Sequence, residues 1–434
     1  MTRRGFSLRW LELQLLVIPA AVSLIGLSMI SLARVGSTRW SWGDLTVSLV
    51  FIVAVFATSF WLTLLKVQGD QILLPIVVML ACLGLLLSQR LGPSLPEGGV
   101  WASLSERQLV YLIMGLALMW VTVGLVRHFF WLKRLKYTWA VLASFLTFFT
   151  MAFGTDLGSG ARLWLDLGPI TVQPGEVVKV LLVLFLAGYL DDYRELITRS
   201  YRVGPFSLPP LPYLIPLVGM WGIAVLAVIL QNDLGNALLL FGIFLVMLYV
   251  ASGRLLYVVG GLAAFAAAFV VALRLVPRVA QRVDIWLDPW SDPTGIGMQP
   301  VQADLAFAHG HILGTGWGFG FPQAIPVVAT DYAFAALGEE LGSLGTVAVI
   351  GLYLALVMRG LLVASRIRNS YVRLLSVGLV SVLGLQTLII LAGTVRLLPL
   401  TGITLPFISA GGSSLVTNFL LVGLLIRASE FARG

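Results

Sequence analysis

Two long apolar runs with a short polar break between them stand near the middle of the sequence. Residues 211–230 read LPYLIPLVGMWGIAVLAVIL, residues 231–234 read QNDL, and residues 235–251 read GNALLLFGIFLVMLYVA. A helix needs about 20 predominantly apolar residues to cross the hydrocarbon core of a bilayer. We therefore interpret the two runs as consecutive membrane helices joined by a tight turn, since Asn, Asp and Gly are turn residues.

The same pattern extends over the rest of the chain. Hydrophobic residues make up 59% of its 434 positions and charged residues only 11%, whereas soluble domains have about 25% charged residues. Such a chain cannot cover a water-facing surface with polar groups, which excludes a soluble, fibrous or disordered protein. About twelve spans are predicted, with the approximate bounds 13–33, 45–65, 71–89, 109–126, 137–153, 177–190, 211–230, 235–251, 256–273, 332–358, 373–395 and 413–426.

We predict an all-α polytopic membrane protein that forms a single integral membrane domain over residues 1–434. The run at 13–33 follows several arginines, as in a signal peptide, but it is longer than a typical signal core, so we expect a retained helix. Most loops are short, and the outer segments 154–176 and 274–331 are the exceptions. The second segment lies between the ninth and tenth predicted helices that span the membrane. It is too long for a mere connector and indicates a functional loop.

The basic residues determine the predicted orientation. The chain has 28 Lys and Arg against 20 Asp and Glu, a net charge of +8, and its densest basic clusters lie at 127–136, 194–202 and 359–373. Cytoplasmic loops are enriched in Lys and Arg. These clusters are therefore expected in the cytoplasm and, with an even number of spans, so are both termini. We attribute the basic excess to membrane lipids with anionic headgroups and not to nucleic acid.

Residues 154–179, GTDLGSGARLWLDLGPITVQPGEVVK, bring charged residues to the edge of a span. Arg162 and Trp164 suggest an amphipathic turn at the membrane interface. Pro174 suits the start of a helix, on which Glu176 and Lys179 are i,i+3 neighbours. Either this pair merely neutralises two charges at a membrane boundary, or it belongs to a functional polar site that opens to the outer leaflet.

Two further segments place acids on the outer side. Residues 231–236 need no function beyond a turn, and Asp233 is equally open to a structural or a functional interpretation. The segment 282–302, RVDIWLDPWSDPTGIGMQPVQ, contains Asp288 and Gln302 and has two Asp-Pro turns. It lacks the Gly and the closing Glu of an EF-hand calcium loop. A His-Gly-His triplet downstream has no third ligand, so we expect no metal site among these residues.

Thr330 and Asp331 stand at the start of the tenth predicted span. Thr330 can cap the helix and Asp331 in its first turn complements the helix dipole, which is a sufficient structural explanation. Glu339 and Glu340 lie about two turns deeper in the predicted helix. Two adjacent acids inside a membrane helix need a partner or a proton, so at least one of them is expected to face the protein interior.

Residues 398–414, LPLTGITLPFISAGGSS, suggest a broken or re-entrant outer loop before the last span. Non-helical backbone at membrane depth is tolerated only where it is buried in protein or lines a cavity. Ser409 and Ser413 would hold an anion at the start of the last helix, although simple helix entry explains them equally well. The sequence has no GxxxxGK[ST], GxSxG, HExxH or CxxC motif.

Together these segments resemble the SEDS family (shape, elongation, division and sporulation) of the FtsW/RodA type. Family members usually have ten spans, which implies two additional helices within residues 1–105 and a SEDS-like core over residues 106–434. The family's Glu and His before its essential aspartate correspond to Val327 and Ala329 here. The resemblance lies in five blocks that follow the family's order: GARLWLDLGPITVQPGEVVK, QNDLGNALL, LDPWSDPTGIGMQPVQ, TDYAFAALGEELGSLG and LPLTGITLPFISAGGSS.

The resemblance implies a peptidoglycan glycosyltransferase that acts in cell shape or cell division. Such an enzyme polymerises lipid II, an undecaprenyl-diphosphate-linked disaccharide pentapeptide. It works on the outer face of the bacterial cytoplasmic membrane with a class B penicillin-binding protein as its partner. The family's essential aspartate falls on Asp331, and the Glu and Lys of its Gln-Pro segment fall on Glu176 and Lys179.

The donor's anomeric carbon carries the α-diphosphate. Attack of an acceptor hydroxyl on this carbon displaces the diphosphate, inverts the configuration and leads to the β-1,4 linkage that the resemblance implies. Because a hydroxyl is a poor nucleophile, a carboxylate must take its proton, and we predict Asp331 as this general base. The leaving diphosphate needs positive charge, for which Lys179 and Arg162 are the candidates, with a divalent cation (Mg or Mn) sharing the load. The predicted substrate-binding residues are Arg162, Trp164, Glu176, Lys179, Asp233, Asp288, Gln302, Glu340, Arg396, Ser409 and Ser413.

Two other functions fit the same features. Twelve spans with buried acids are also typical of a proton-coupled lipid or small-molecule transporter or flippase. The changes at Val327 and Ala329 are consistent with a catalytically silent scaffold for a cell-wall synthase. The presence of Asp331 argues against that second alternative.

Overall fold

The computed structural model describes residues 8–35, 45–94, 104–156, 162–166, 168, 171–198, 201–203, 206–208 and 211–432. Within these residues nearly all regular structure is helical, which confirms the all-α prediction. Two short antiparallel strand pairs are present, β1 (Leu165–Asp166) with β2 (Thr171–Val172) and β3 (Tyr201–Val203) with β4 (Phe206–Leu208). The helices are α1 (Trp10–Val35), α2 (Thr46–Leu64), α3 (Leu73–Leu91), α4 (Leu104–Leu125), α5 (Phe130–Arg134), α6 (Lys136–Phe153), α7 (Pro174–Thr198), α8 (Leu211–Leu230), α9 (Leu234–Ser252), α10 (Leu255–Leu275), α11 (Pro277–Leu287), α12 (Met298–Gly310), α13 (Ala333–Arg366), α14 (Ser370–Thr394) and α15 (Gly412–Ala428).

Ten helices in the described part of the chain are long and apolar enough to cross a membrane, namely α1 to α4, α8 to α10 and α13 to α15. The two remaining predicted spans, 137–153 and 177–190, also lie on helices, α6 and α7. Charged residues near both ends of α7, among them Glu176, Lys179 and Asp191, make that helix less apolar. The polytopic helical architecture is confirmed, whereas the count of twelve spans stays a prediction.

Burial differs between the helices according to what surrounds them. The helix α3, LLPIVVMLACLGLLLSQRL, is apolar on nearly every side, and 83% of its membrane-spanning stretch is buried inside the protein. The helix α10 is just as apolar, yet none of it is buried. An apolar surface of that length is unfavourable in water, and the acyl chains of a bilayer would cover it.

The chain divides into two compact units. In unit 1, α15 packs along α4, and α1 packs on α3 and α2. In unit 2, α7 packs against α6, α8 and α9, and α10 packs on α9. Unit 1 comprises Met1–Leu125, Gln281–Arg359 and Gln386–Glu430, and unit 2 comprises Val126–Ala280, Gly360–Leu385 and Phe431–Gly434.

A close backbone approach in unit 1 explains the broken loop before α15. Gly84 of α3 faces this loop, and a Cβ at Gly84 would lie 2.5 Å from the Phe407 carbonyl oxygen and 2.6 Å from that of Ile408. Phe407 and Ile408 are themselves buried. Residues 405–409 of the loop are therefore enclosed in protein, as irregular backbone at membrane depth must be.

The predicted outer loop, 274–331, is folded and not extended. It contains α11 and α12 together with single 3₁₀ turns at Pro289–Ser291 and Pro322–Ala324. The Trp286 indole N–H donates to the Arg396 carbonyl at 2.9 Å, which ties α11 to the end of α14. From Gln281 onward this segment therefore has its own packed structure within unit 1.

The helix α13 is interrupted at Gly342, where φ is +69°. A Cβ at this position would lie 2.3 Å from the Gly314 backbone nitrogen. Beyond the break, the Ser343 N–H donates to the His311 carbonyl at 3.0 Å, so the loop after α12 bonds to the backbone that the break exposes. The prediction of one continuous tenth span is therefore wrong, because a short helix precedes the long one.

Candidate active site

Asp331 lies in a turn immediately before α13, two residues ahead of the first helical residue. The N–H groups of Thr330 and Asp331 both donate to the Val327 carbonyl, at 3.2 Å each. The Thr330 hydroxyl donates to the same carbonyl at 3.3 Å. Since the hydroxyl points back along the turn, the predicted role of Thr330 as a helix cap is wrong.

The backbone of this turn is strained, and hydrogen bonds from the loop before α15 stabilise it. Val327 has a φ of +57°, in the left-handed region that β-branched residues rarely adopt. The Ser409 hydroxyl donates to the Thr330 carbonyl, and the Ala410 N–H donates to the Ala329 carbonyl at 2.8 Å. A strained backbone conformation persists only where contacts with the surrounding structure fix it. The loop before α15 thus fixes the turn that carries the aspartate.

The Asp331 carboxylate is partly buried. A Cβ at Gly402 would lie 3.6 Å from Asp331 Oδ2, so the loop before α15 closely approaches the carboxylate. Burial raises the pKa of Asp331 to about 6, and the Thr330 hydroxyl and the Arg282 guanidinium oppose that rise. A carboxylate of this pKa is largely ionised at neutral pH yet basic enough to take a proton, which suits a general base. Arg282 is not among the predicted site residues, and its signal in the sequence is a basic residue five positions before the Leu-Asp-Pro-Trp motif.

Arg396 belongs to the same electrostatic neighbourhood. It forms an ion pair with Asp304 of α12, and its φ is +58°. The pKa of Tyr332 is raised, and burial is the largest cause. The charges of Asp331 and Asp304 raise this pKa further, and the charge of Arg396 lowers it. The predicted substrate-binding residue Arg396 is therefore paired with Asp304, and both Arg396 and Asp331 act electrostatically on Tyr332.

The other predicted residues of this region differ in accessibility. Asp288 is exposed, and Gln302 of α12 and Ser413 of α15 are partly buried. Ser409 is 3% exposed, and its Oγ accepts from the Leu405 N–H at 2.9 Å. Ser409 therefore stabilises the backbone around Asp331 in the structure, and its contact with substrate stays a prediction.

Glu339 and Glu340 are both buried in the short helix before the break, and both have partners. Arg90 Nε lies 2.7 Å from Glu340 Oε1. The Phe321 N–H donates to Glu339 Oε1 at 2.8 Å, and His309 Nδ1 lies 3.0 Å from the same oxygen. The expectation that at least one acid faces the interior is confirmed for both. Arg90 therefore engages Glu340 Oε1, and a contact between Glu340 and substrate stays a prediction.

In unit 2, Glu176 and Lys179 form a buried ion pair. The helix α7 begins at Pro174, as predicted, and Lys179 Nζ lies 2.7 Å from Glu176 Oε2. Both residues are nearly inaccessible, with exposures of 3% for Glu176 and 1% for Lys179. The predicted i,i+3 contact is confirmed. Each buried charge depends on the other, because an unpaired charge in such a place is strongly destabilising.

Asp233 lies near this pair. Its carboxylate caps α9, accepting from the Asn236 N–H at 3.1 Å and from Asn236 Nδ2 at 2.7 Å. Burial raises the pKa of Asp233 against these two hydrogen bonds, the Glu176 carboxylate adds to the rise, and the Lys179 ammonium opposes it. We name Glu176, Lys179 and Asp233 the Glu176 cluster, since their charges act on one another.

A small cavity of about 10 Å³ lies beside Asp233. It suits a single water molecule. Gln231 lines it and also donates from Nε2 to the Thr147 carbonyl of α6 at 2.7 Å. The turn at 231–236 therefore carries buried polar contacts in addition to reversing the chain.

Arg162 and Trp164 precede the β1–β2 pair in unit 2. The Arg162 side chain is exposed and that of Trp164 is partly buried. The Trp164 carbonyl accepts from the Thr155 N–H at 2.7 Å, which fixes the backbone at this point. Within the residues that the structure describes, no group of three or more His, Cys, Asp or Glu is placed to hold a metal ion, and the divalent cation stays a prediction.

The helical bundle, the Asp331 turn and the Glu176 cluster define a polytopic membrane protein whose ionisable groups cluster at helix starts. Residues 70–434 match the model of the FtsW/RodA/SpoVE family, described as "Cell cycle protein". The chain therefore belongs to the FtsW/RodA/SpoVE family, as the sequence motifs predicted. The match begins after α2, so α1 and α2 lie outside it.

Individual relatives agree with this assignment. "Peptidoglycan glycosyltransferase RodA" of Mycobacterium tuberculosis is 36% identical over 97% of this chain and 90% of its own length. "Stage V sporulation protein E" of Bacillus subtilis is 30% identical over 86% of this chain and 100% of its own length.

Solved structures share the fold. One described as "Structural coordination of polymerization and crosslinking by a peptidoglycan synthase complex" aligns with a TM-score of 0.68 and 29% identity, over 84% of this chain and 98% of that chain. The rod shape determining protein RodA of Thermus thermophilus aligns with a TM-score of 0.59 and 26% identity, over 84% and 97% of the two chains.

Proposed function

We propose that this protein is a peptidoglycan glycosyltransferase that polymerises lipid II into glycan strands. Its membership of the FtsW/RodA/SpoVE family supports this, as does the name of the mycobacterial relative that aligns over 97% of the chain. The observation that carries the chemistry is the Asp331 turn. It presents a partly buried carboxylate on a fixed backbone, with the Arg282 guanidinium close enough to affect its pKa.

In the proposed reaction, a sugar hydroxyl of the acceptor attacks the anomeric carbon of the donor on the side opposite the diphosphate. The new carbon–oxygen bond forms as the bond to the diphosphate breaks, so the configuration inverts. Asp331 accepts the hydroxyl proton, and the lipid diphosphate leaves with the bonding electron pair. Such general-base assistance typically contributes ~10²–10⁴-fold to the rate.

The leaving diphosphate requires positive charge. Lys179 and Arg162 are the predicted contributors in unit 2, and Glu176 holds the Lys179 ammonium at 2.7 Å. In unit 1 we add Arg282, whose Nη1 lies 3.4 Å from two backbone carbonyls of the loop before α15. A divalent cation, Mg or Mn, would share this load, since such ions bind substrate phosphates together with one or two carboxylates.

The proposed place of action is the outer face of the bacterial cytoplasmic membrane, with both termini in the cytoplasm. The basic clusters at 127–136, 194–202 and 359–373 support this orientation, because cytoplasmic loops are enriched in Lys and Arg. A class B penicillin-binding protein is the proposed partner. The alignment with a structure of a peptidoglycan synthase complex supports that choice.

The test is strand synthesis from lipid II by the purified full-length protein, alone and with a class B penicillin-binding protein. Wild type is expected to form glycan strands, and Asp331→Asn is not. Asp284→Asn removes an exposed acid of α11 and is the matched control, with activity expected near wild type. Wild-type protein that makes no strands in either condition would favour the transporter or the silent scaffold.

A further inference from the structure

A cavity of about 550 Å³ lies in unit 2, at the other end of α7 from Glu176. Asp191 and Asp192 line it. They follow Glu176 by 15 and 16 residues, which is roughly 23 Å along the helix axis. The cavity is therefore separate from the Glu176 cluster. Its volume falls within the range of about 300–1,000 Å³ that is typical of small-ligand sites.

Basic residues prevail in the lining of this cavity. Lys133 Nζ lies 2.6 Å from Asp191 Oδ2 and 2.8 Å from Asp192 Oδ1. Lys136 also pairs with Asp192. Arg134, whose side chain is exposed, adds a third cation against these two acids. The lining is therefore net positive even with its histidine neutral, which favours an anionic ligand.

One buried hydroxyl group lies at the same cavity. Tyr371 lines it and is 4% exposed, and its hydroxyl has no hydrogen-bond partner within the described residues. A buried hydroxyl without a partner is costly and uncommon, so an acceptor on a ligand would stabilise it.

The start of α14 adds a further attraction for an anion. Tyr371 stands in the first turn of this 25-residue helix. Asn369, the residue before the helix, also lines the cavity, and its Oδ1 accepts from the Val372 N–H at 3.1 Å. The positive end of the helix dipole therefore lies at the cavity.

Aromatic side chains form the apolar part of the lining. Phe129 and Phe431 pack edge to face with their ring centroids 5.6 Å apart, and Phe130 is 73% exposed. Trp and Tyr are the residues enriched where headgroups meet hydrocarbon, so these Phe side chains count only as an apolar rim. A soluble phosphate needs no apolar rim. A phospholipid does, because its phosphate is joined to glycerol and acyl chains.

We propose that this cavity binds the headgroup phosphate of an anionic phospholipid. Arg134 and the Tyr371 hydroxyl hold the phosphate beside the positive end of α14. Lys133 and Lys136, which remain paired with the aspartates, add positive potential. Basic pockets between membrane helices are known to take anionic headgroups. Under the proposed orientation, the lipid belongs to the cytoplasmic leaflet.

The test is lipid binding to the purified full-length protein in dodecyl maltoside, followed by native mass spectrometry. Phosphatidylglycerol is compared with phosphatidylcholine of the same acyl chains, and glycerol phosphate serves as the soluble phosphate. One phosphatidylglycerol is expected to be retained in preference to phosphatidylcholine. Arg134→Gln and Tyr371→Phe should each weaken its affinity about tenfold, because each removes a hydrogen bond to a charged group. Arg368→Gln removes an exposed cation outside the cavity and should bind like wild type.

A second measurement separates binding from folding. Among the described residues the Tyr371 hydroxyl has no hydrogen-bond partner to lose, so lipid-free Tyr371→Phe should unfold no earlier than wild type. The same variant should lose most of the stabilisation that phosphatidylglycerol confers on the wild type, since a ligand stabilises only in proportion to its binding.

Three results overturn the proposal. They are equal binding of phosphatidylcholine, competition by glycerol phosphate at the same concentration as the lipid, and a loss of affinity in Arg368→Gln as large as in Arg134→Gln. None of these measurements involves lipid II or strand synthesis. They therefore stand or fall independently of the proposed glycosyltransferase activity.

Discussion

Replacement of Glu340 by glutamine removes the charge partner of Arg90 and keeps the shape of the side chain. The Arg90 side chain is 7% exposed and that of Glu340 is 0% exposed, so water cannot replace the lost carboxylate. Arg90 Nη2 still donates to the Gly320 carbonyl at 2.7 Å, which satisfies one donor but not the charge. Removing one partner of a buried pair typically costs about 3–5 kcal/mol, and we expect that loss in the free energy of unfolding.

The same pair positions the segment that leads to Asp331. Arg90 holds the Gly320 carbonyl while the neighbouring Glu339 accepts from the Phe321 N–H at 2.8 Å. The double variant Arg90→Met/Glu340→Leu removes both charges, and apolar replacement of a whole buried pair is often neutral or stabilising. It should therefore recover most of the stability. Recovered strand synthesis would make Glu340 a structural residue, and a folded but inactive double variant would support its predicted contact with substrate.

Unfolding is measured by tryptophan fluorescence as sodium dodecyl sulfate is titrated into the detergent-solubilised protein, and strand synthesis is assayed in parallel. Glu106→Gln removes an exposed acid of α4 and is the matched control, expected within about 0.5 kcal/mol of wild type. Unfolding of Glu340→Gln within the same margin, or a double variant no more stable than the single one, would contradict a stabilising role of the Arg90 pair.

Further predictions concern the two acidic sites and the topology. Asp331→Asn should lower strand synthesis by ~10²–10⁴-fold with membrane insertion intact, while Asp284→Asn retains strand synthesis. Activity of Asp331→Asn within a few-fold of wild type would remove Asp331 from the mechanism. Because burial raises the pKa of Asp331 to about 6, the base is ionised above that pH, so a pH–rate profile should fall as the pH drops through about 6 in the wild type. The folded state holds this proton more tightly than the unfolded state, so this group makes the protein less stable as pH rises from about 4 to about 6; Asp331→Asn should remove that pH dependence from the unfolding curve. Glu176→Ala and Lys179→Ala should each strongly reduce turnover. The double variant should be little worse, because the effects of substitutions within one unit are not additive. Activity restored by swapping the two charges would mean that the pair is only structural. Reporters fused to either terminus should be accessible from the cytoplasm, and protection of one of them would overturn the orientation.

What the sequence by itself determined depends on local physics. Each predicted span lies on a helix, because hydrocarbon requires continuous apolar runs that satisfy their backbone groups internally. The start of α7 at Pro174 and the contact of Glu176 with Lys179 were predictable because both depend on neighbours within one helical turn. The ordered motifs also identify the family, which the family match confirms, and they point to Asp331.

Only the tertiary structure decided which distant groups meet. Arg90 and Glu340 are 250 residues apart in the chain, so no spacing rule connects them. The break in α13 depends on Gly342 meeting the loop after α12, and this overrode a helical pattern that looked continuous in the sequence. The influence of Arg282 on Asp331 likewise exists only once α11 is folded. A buried charge or an open backbone group must find its partner wherever the fold brings one, and local sequence does not encode that place.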